Sequence, residues 1–155
     1  MKRNFIILLI ASLSLAACSK DYLETAPTAS VAEKDLFTTL TGAQTLLDGI
    51  HRYTYYYGGA HDKFGQKAID YIMDCLGEDF YPTERGYGWF VSWYQYIEHR
   101  NINSANVEYV WAYYYDIIQN ANLILANIDN IQVVDAQIPL KNNIKAQALT
   151  YRAFS

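Results

Sequence analysis

Residues Val107–Ile128 read VEYVWAYYYDIIQNANLILANI. Within this stretch Val107, Val110, Trp111, Tyr114, Ile118, Ala121, Leu125 and Ile128 recur at steps of three or four, apart from the adjacent pair Val110–Trp111. An α-helix returns residues three and four apart to one face, so the spacing predicts one continuous helix with a single apolar stripe. At 1.5 Å per residue it forms a rod of roughly 33 Å. A lone helix with one apolar face is marginal in water, so the flanking segments must supply its partners. Asn103 or Ser104 is placed to cap its start. Asn122 lies on the edge of the stripe, where a buried amide must find hydrogen bonds; a neighbouring backbone is the expected partner.

On the C-terminal side, a linker through Asp135 leads to Pro139, a residue suited to the first turn of a helix. Leu140, Ile144, Ala148 and Tyr151 form the expected stripe there, with Gln147 and Phe154 at its margins. Two striped helices with a short linker predict an antiparallel pair. The periodicity is unbroken at Ser155, so the expectation is the front part of a longer protein.

On the N-terminal side, residues 81–104 contain Pro82, Gly86 and Gly88, which predict turns. The same segment concentrates Tyr81, Tyr87, Trp89, Phe90, Trp93, Tyr94 and Tyr96. Loops this long within a domain are often functional, and flat ring faces suit the C–H face of a pyranose. The competing reading folds these rings down onto the helices as core. Before the loop, Lys63–Leu76 reads as a helix capped by Asp62, with Ala68, Ile69, Ile72, Met73 and Leu76 inward and Gly77 as its stop. An earlier helix starts at Thr41 in a capping box with Gln44, buries Ala43, Leu46, Leu47, Ile50 and Tyr57, and stops at Gly58 and Gly59. A helical lead-in is expected within 32–40. If these two also pair, the fold class is all-α, with stacked tetratricopeptide-like hairpins and long loops.

Residues 1–17 stand apart from the fold. Lys2 and Arg3 precede an apolar run, Phe5–Leu15, followed by Leu15-Ala16-Ala17-Cys18. A charged start, a short apolar run and small residues before a cut site make a secretory signal. The run is too short to span a bilayer comfortably. Its ending looks like the bacterial lipobox, in which the cysteine is acylated and becomes the new N-terminus. Lipid on Cys18 makes the protein membrane-anchored rather than membrane-spanning. Residues 18–31 read as a solvated tether and 32–155 as the folded region.

The net charge is −4 and no basic block occurs, which disfavours nucleic acid. Without Lys2 and Arg3, ten basic residues face sixteen acidic ones. Cys75 is left as a single thiol, expected as a small buried hydrophobe. The 15 tyrosines outnumber the 6 phenylalanines, a bias that suits wet interfaces. His51, His61 and His99 are scattered, and no metal-ligand set, phosphate loop or nucleophile elbow is present. No catalytic residue, metal or cofactor is expected. Glu78, Asp79 and Glu84 are the carboxylates that an all-helical hydrolase would need, and adjacent acids after a helix are ordinarily solvated.

Several pieces occur together in order. Cys-Ser-Lys-Asp-Tyr-Leu-Glu-Thr-Ala-Pro-Thr (18–28) is followed by Ala43…Leu46-Leu47-x-Gly49-Ile50. Trp111-x-x-x-Tyr115-x-x-Ile118-x-x-Ala121-Asn122-x-Ile124-Leu125 comes next, and then Ala146-Gln147-Ala148-Leu149-Thr150-Tyr151-Arg152-Ala153-Phe154. This set resembles the N-terminal part of the SusD/RagB family of nutrient-binding lipoproteins of Bacteroidota. The family pattern Glu-Ala-x-x-Leu-Arg-Ala has Gln147 and Tyr151 in place of its Glu and Leu here. The resemblance implies a surface-exposed, outer-membrane, non-enzymatic binder of glycans or, in some members, peptides. It implies tetratricopeptide-like helices and a SusC-like TonB-dependent transporter as partner. Family binding surfaces use aromatic platforms on loops, which makes Trp89, Trp93, Tyr94 and Tyr96 the candidate ligand residues. A lipid-anchored helical scaffold for protein–protein interaction is the alternative from a different class.

Overall fold

The computed structural model describes residues 36–56, 58–60, 62–83 and 88–155. The signal peptide, Cys18, the tether and the start of the lead-in lie outside the described residues, as do Tyr57, His61, Glu84 and Tyr87. The described residues form five α-helices and no strand: α1 (Leu40–Tyr53), α2 (Gln66–Leu76), α3 (Val91–Tyr94), α4 (Ala105–Asn127) and α5 (Ile138–Phe154). The class is all-α.

Helix α4 starts where a hydroxyl can take its orphan amides. Ser104 Oγ accepts from the N–H groups of Asn106 at 3.1 Å and Val107 at 3.2 Å, and itself donates to Glu98. At the far end a 3-10 turn, Ile128–Asn130, reverses the chain. Lys141 Nζ then donates to the carbonyls of Asp129 at 3.0 Å and Ile131 at 2.8 Å, satisfying acceptors of the turn that follows the helix. Lys145 pairs with Asp129 at 2.6 Å, and Arg152 reaches Asn122 Oδ1 at 3.4 Å. These pairings run in opposite directions along the two helices, so α4 and α5 are antiparallel. Pro139 sits in the first turn of α5, where its missing N–H costs nothing.

The buried face of α4 differs from the one the spacing predicts. Tyr113, Ile117, Ala121, Ile124 and the following Ile128 are the buried positions. Ala121 and Ile128 are shared with the predicted stripe; Val110, Tyr114 and Leu125 become its margin. The true face is rotated by roughly 60° at 100° per residue. Trp111, expected inside, is 61% exposed. Asn122 is also exposed, and its partner is the Arg152 side chain rather than a backbone group. The cause is that α4 is apolar on both sides, so periodicity alone cannot choose between them.

Leu40, Ala43, Leu47 and Ile50 of α1 close the main core against α4 and against Ile144 and Ala148 of α5. Leu140, expected in the α5 stripe, is instead exposed. Ile69 of α2 completes this core. Each fully buried Leu or Ile contributes about 1.5–3 kcal/mol, which makes this contact the principal source of stability. Helix α1 begins one residue before the predicted box. Thr39, with extended backbone, is the cap and accepts from Gly42 N–H at 3.2 Å. Gln44 does not complete a box; its amide donates to Asp48 at 2.8 Å. The helix ends at Tyr53, because Thr54 takes the carbonyl of His51 with its hydroxyl at 2.7 Å and the chain turns before Gly58.

Helix α2 begins three residues later than expected, at Gln66. Its cap is Gly65 rather than Asp62. Gly65 has φ +67°, and a Cβ there would lie 2.1 Å from the Thr54 carbonyl oxygen. The α1–α2 hairpin is not the main pairing of either helix: α1 packs on α4 and α5, while α2 packs chiefly on α3 and sends Ile69 into the main core. Ile72 and Cys75 of α2 and Trp93 of α3 make a second, smaller core bordered by Val107 and Val110. Cys75 is the buried small hydrophobe its surroundings predict, and burial pushes its thiol pKa up.

Candidate functional site

The segment between α2 and α4 is built on two residues with left-handed backbone, Glu78 (φ 62°) and Tyr96 (φ 57°). The Tyr96 hydroxyl lies 2.9 Å from the Leu76 carbonyl and 3.1 Å from Glu78 Oε1. It ties the end of α2 to the turn after α3. Desolvation, and then the bond to Glu78, raises the Tyr96 pKa. Glu78 is thereby a structural acceptor.

The four candidate ligand aromatics have different fates. Trp93 is 3% exposed and packs on Ile72 and Cys75, so its ring face is core and not a platform. Its indole N–H is buried without a hydrogen-bond partner. Tyr94 is half-buried and meets Tyr81 edge-on, with centroids 4.9 Å apart and planes at 85°. Tyr96 is half-buried and held by its hydroxyl. Trp89 reaches the surface at 37% exposure and walls a recess of about 200 Å³ with Phe80, Pro82 and Phe90. Folding down thus takes Trp93, and part of Tyr94 and Tyr96, out of the set expected at the surface. The physical reason is short α3, which turns Trp93 toward the apolar face of α2.

Tyr81 stays 62% exposed in the loop, and a further exposed aromatic pair lies on α4. Trp111 and Tyr115 stack with centroids 5.6 Å apart and planes at 22°, and Tyr115 is 58% exposed. The spacing of the apolar residues assigns Trp111 to the core and so passes over this pair. The series 111, 115, 118, 122 is itself a helical face, roughly 130° from the buried one at 100° per residue, and that periodicity is the signal that marks it. A second recess, about 230 Å³, lies between α1 and α4 over Leu46, Gly49, Ile50 and Ile117. At its rim the Tyr53 hydroxyl donates to Asp116 Oδ2 at 3.0 Å. Burial first, and this carboxylate second, push the Tyr53 pKa up to about 12.

Among the described residues no group of three His, Cys, Asp or Glu side chains is placed to hold a metal, and no helix is long and apolar enough to cross a membrane. No family model, curated protein or solved structure matches the chain.

Proposed function

We propose that this protein is a non-catalytic lipoprotein of the outer membrane, exposed at the cell surface. In this reading it captures glycans or their breakdown oligosaccharides and hands them to a SusC-like TonB-dependent transporter. The observation that carries the reading is the lipobox ending at Cys18, followed in order by the helix motifs at 43–50, 111–125 and 146–154. The last two motifs occupy α4 and α5, an antiparallel pair of the kind tetratricopeptide-like repeats are built from. Exposed ring faces at Trp89, Trp111 and Tyr115 supply the surface chemistry that sugar capture needs.

The test is purification of the full protein from outer membranes, followed by identification of co-purifying proteins and an oligosaccharide and peptide array. A transporter barrel in the preparation together with glycan binding supports the reading. Recovery without a barrel and without any array ligand overturns it. Peptides in place of glycans on the array would make it a peptide-binding member of the same class. The second reading, a lipid-anchored scaffold engaging other proteins, is favoured by one observation: α4 is apolar on two faces and packs with only one.

A further inference from the structure

Trp111 stands between two recesses. Toward the N-terminus of α4 lies an opening of about 560 Å³ lined by His99, Asn101, Asn103, Glu108 and Trp111 among others. Toward the C-terminus lies one of about 400 Å³, bordered by Val110, Tyr115 and Ile118. Both volumes fall within the range of small-molecule sites, roughly 300–1,000 Å³. An indole left 61% exposed forgoes the stabilisation that burial of an aromatic brings. Its stack on Tyr115 restrains the ring, so less freedom is lost when a ligand settles on it.

The polar neighbours decide what fits. Asn101 Oδ1 accepts the N–H of Asn103 at 3.1 Å, leaving its amide NH2 available. The side chains of Asn103 and Glu108 hold no hydrogen bond or ion pair among the described residues. Ile102, 96% exposed, and Val107 add apolar wall to the same recess. A flat apolar face bordered also by an amide donor, a second amide and a carboxylate acceptor is complementary to a polyol with one C–H face. An apolar helix laid across it would desolvate Glu108 and Asn103 without replacing their hydrogen bonds. A polyanion would meet Glu108 and a chain with net charge −4.

We propose that Trp111, stacked on Tyr115 and bordered by Asn101, Asn103 and Glu108, is a platform for a neutral pyranose unit of an oligosaccharide. This deepens the glycan-capture reading and rests on it. The C–H face of the sugar lies on the indole, and its hydroxyls exchange hydrogen bonds with the two amides and the carboxylate.

The test titrates the full protein with neutral oligosaccharides (malto-, cello-, xylo- and manno-hexaose) and follows heat and tryptophan fluorescence. Trp111→Ala should weaken binding of the preferred hexaose at least tenfold, Glu108→Gln about three- to tenfold, and Trp111→Phe least. The circular dichroism spectrum should not change, because Trp111 is exposed. Binding that survives Trp111→Ala but is lost in Trp89→Ala overturns this platform and leaves glycan capture standing. A parent protein that binds none of the hexaoses overturns both. Unchanged sugar binding with a sedimentation shift in Trp111→Ala overturns the platform in favour of a protein contact on this face.

Discussion

Glu78 and Tyr96, the non-glycine residues with left-handed backbone among the described residues, are hydrogen-bonded to each other, with Tyr96 Oη 3.1 Å from Glu78 Oε1. Left-handed backbone costs an ordinary residue about 1–2 kcal/mol, and such conformations persist only where neighbours over-determine them. Here the phenol supplies the constraint by also meeting the last carbonyl of α2, Leu76, at 2.9 Å. Tyr96→Phe removes the link and should cost about 1 kcal/mol in urea denaturation. Glu78→Gly loses the same bond but relieves one strained residue, so its cost should be smaller. Equal stability of Tyr96→Phe and the parent would show that the turn is held by something else.

Trp93 gives a sharper contrast between core and ligand roles. Its ring is buried with Ile72 and Cys75, so Trp93→Ala should cost about 3–5 kcal/mol. Its indole N–H has no partner to lose, so Trp93→Phe should retain much of that stability. Chemical denaturation of the two variants checks both values. A Trp93→Ala protein as stable as the parent but defective in sugar binding would return this residue to the ligand surface.

Two glycines should respond with opposite signs. At Gly65 the backbone is left-handed and a methyl would strike the Thr54 carbonyl, so Gly65→Ala should destabilise by at least about 1–2 kcal/mol. At Gly49, in mid-helix, an added methyl would meet no atom within 4 Å, so Gly49→Ala should stabilise by up to about 1 kcal/mol. Melting temperatures that move in the same direction for both would contradict this backbone geometry.

The existence of α1, α2, α4 and α5 was legible in the sequence, that of short α3 inside the expected loop was not, and which way each helix faces was less so. Pro139, Ser104 and Gly77 carry local backbone chemistry, and each marks a boundary where that chemistry predicts one. Thr41 and Gln44 satisfy the same capping pattern, but Thr39 had the extended backbone and took the cap. Trp111 shows the deeper difficulty: on a helix apolar on two sides, spacing identifies both stripes and only tertiary packing selects one. Trp93 shows the same for the loop. Its burial depends on α2, far from it in sequence, and no local pattern separates it from Trp89.

The Asp129–Lys145 pair should be visible in titration. The hydrogen bond from Lys145, together with its charge and that of Lys141, lowers the Asp129 pKa despite some opposing desolvation. A carboxyl whose folded pKa is depressed contributes stability above its unfolded pKa and loses it as pH falls through the folded value. NMR titration of the Asp129 carboxyl should therefore give a midpoint below the usual aspartate range. Lys145→Gln should move it upward. The pair is exposed, so the effect belongs to the titration curve more than to overall stability. A midpoint that does not respond to Lys145→Gln would mean the pair is absent in solution.

Alkaline pH tests the contact between α1 and α4. Tyr53 is held neutral chiefly by burial and next by its bond to Asp116, with a pKa of about 12 in place of 10.0. Tyr113, buried deeper in the same core, is raised further, again chiefly by burial. For a raised pKa the stabilising contribution is complete below the unfolded value of about 10 and is lost as pH rises through the folded value. Stability should therefore fall steeply between about pH 10 and 12, with tyrosinate absorbance appearing together with the loss of helix. Asp116→Asn removes the lesser cause and leaves burial in place, so it should lower the Tyr53 midpoint without returning it to 10.0. Tyr53→Phe should flatten part of the alkaline limb. An unchanged limb in Tyr53→Phe would assign it to Tyr113 and the other buried phenols, and would remove the Tyr53–Asp116 bond from the contacts that matter to the fold.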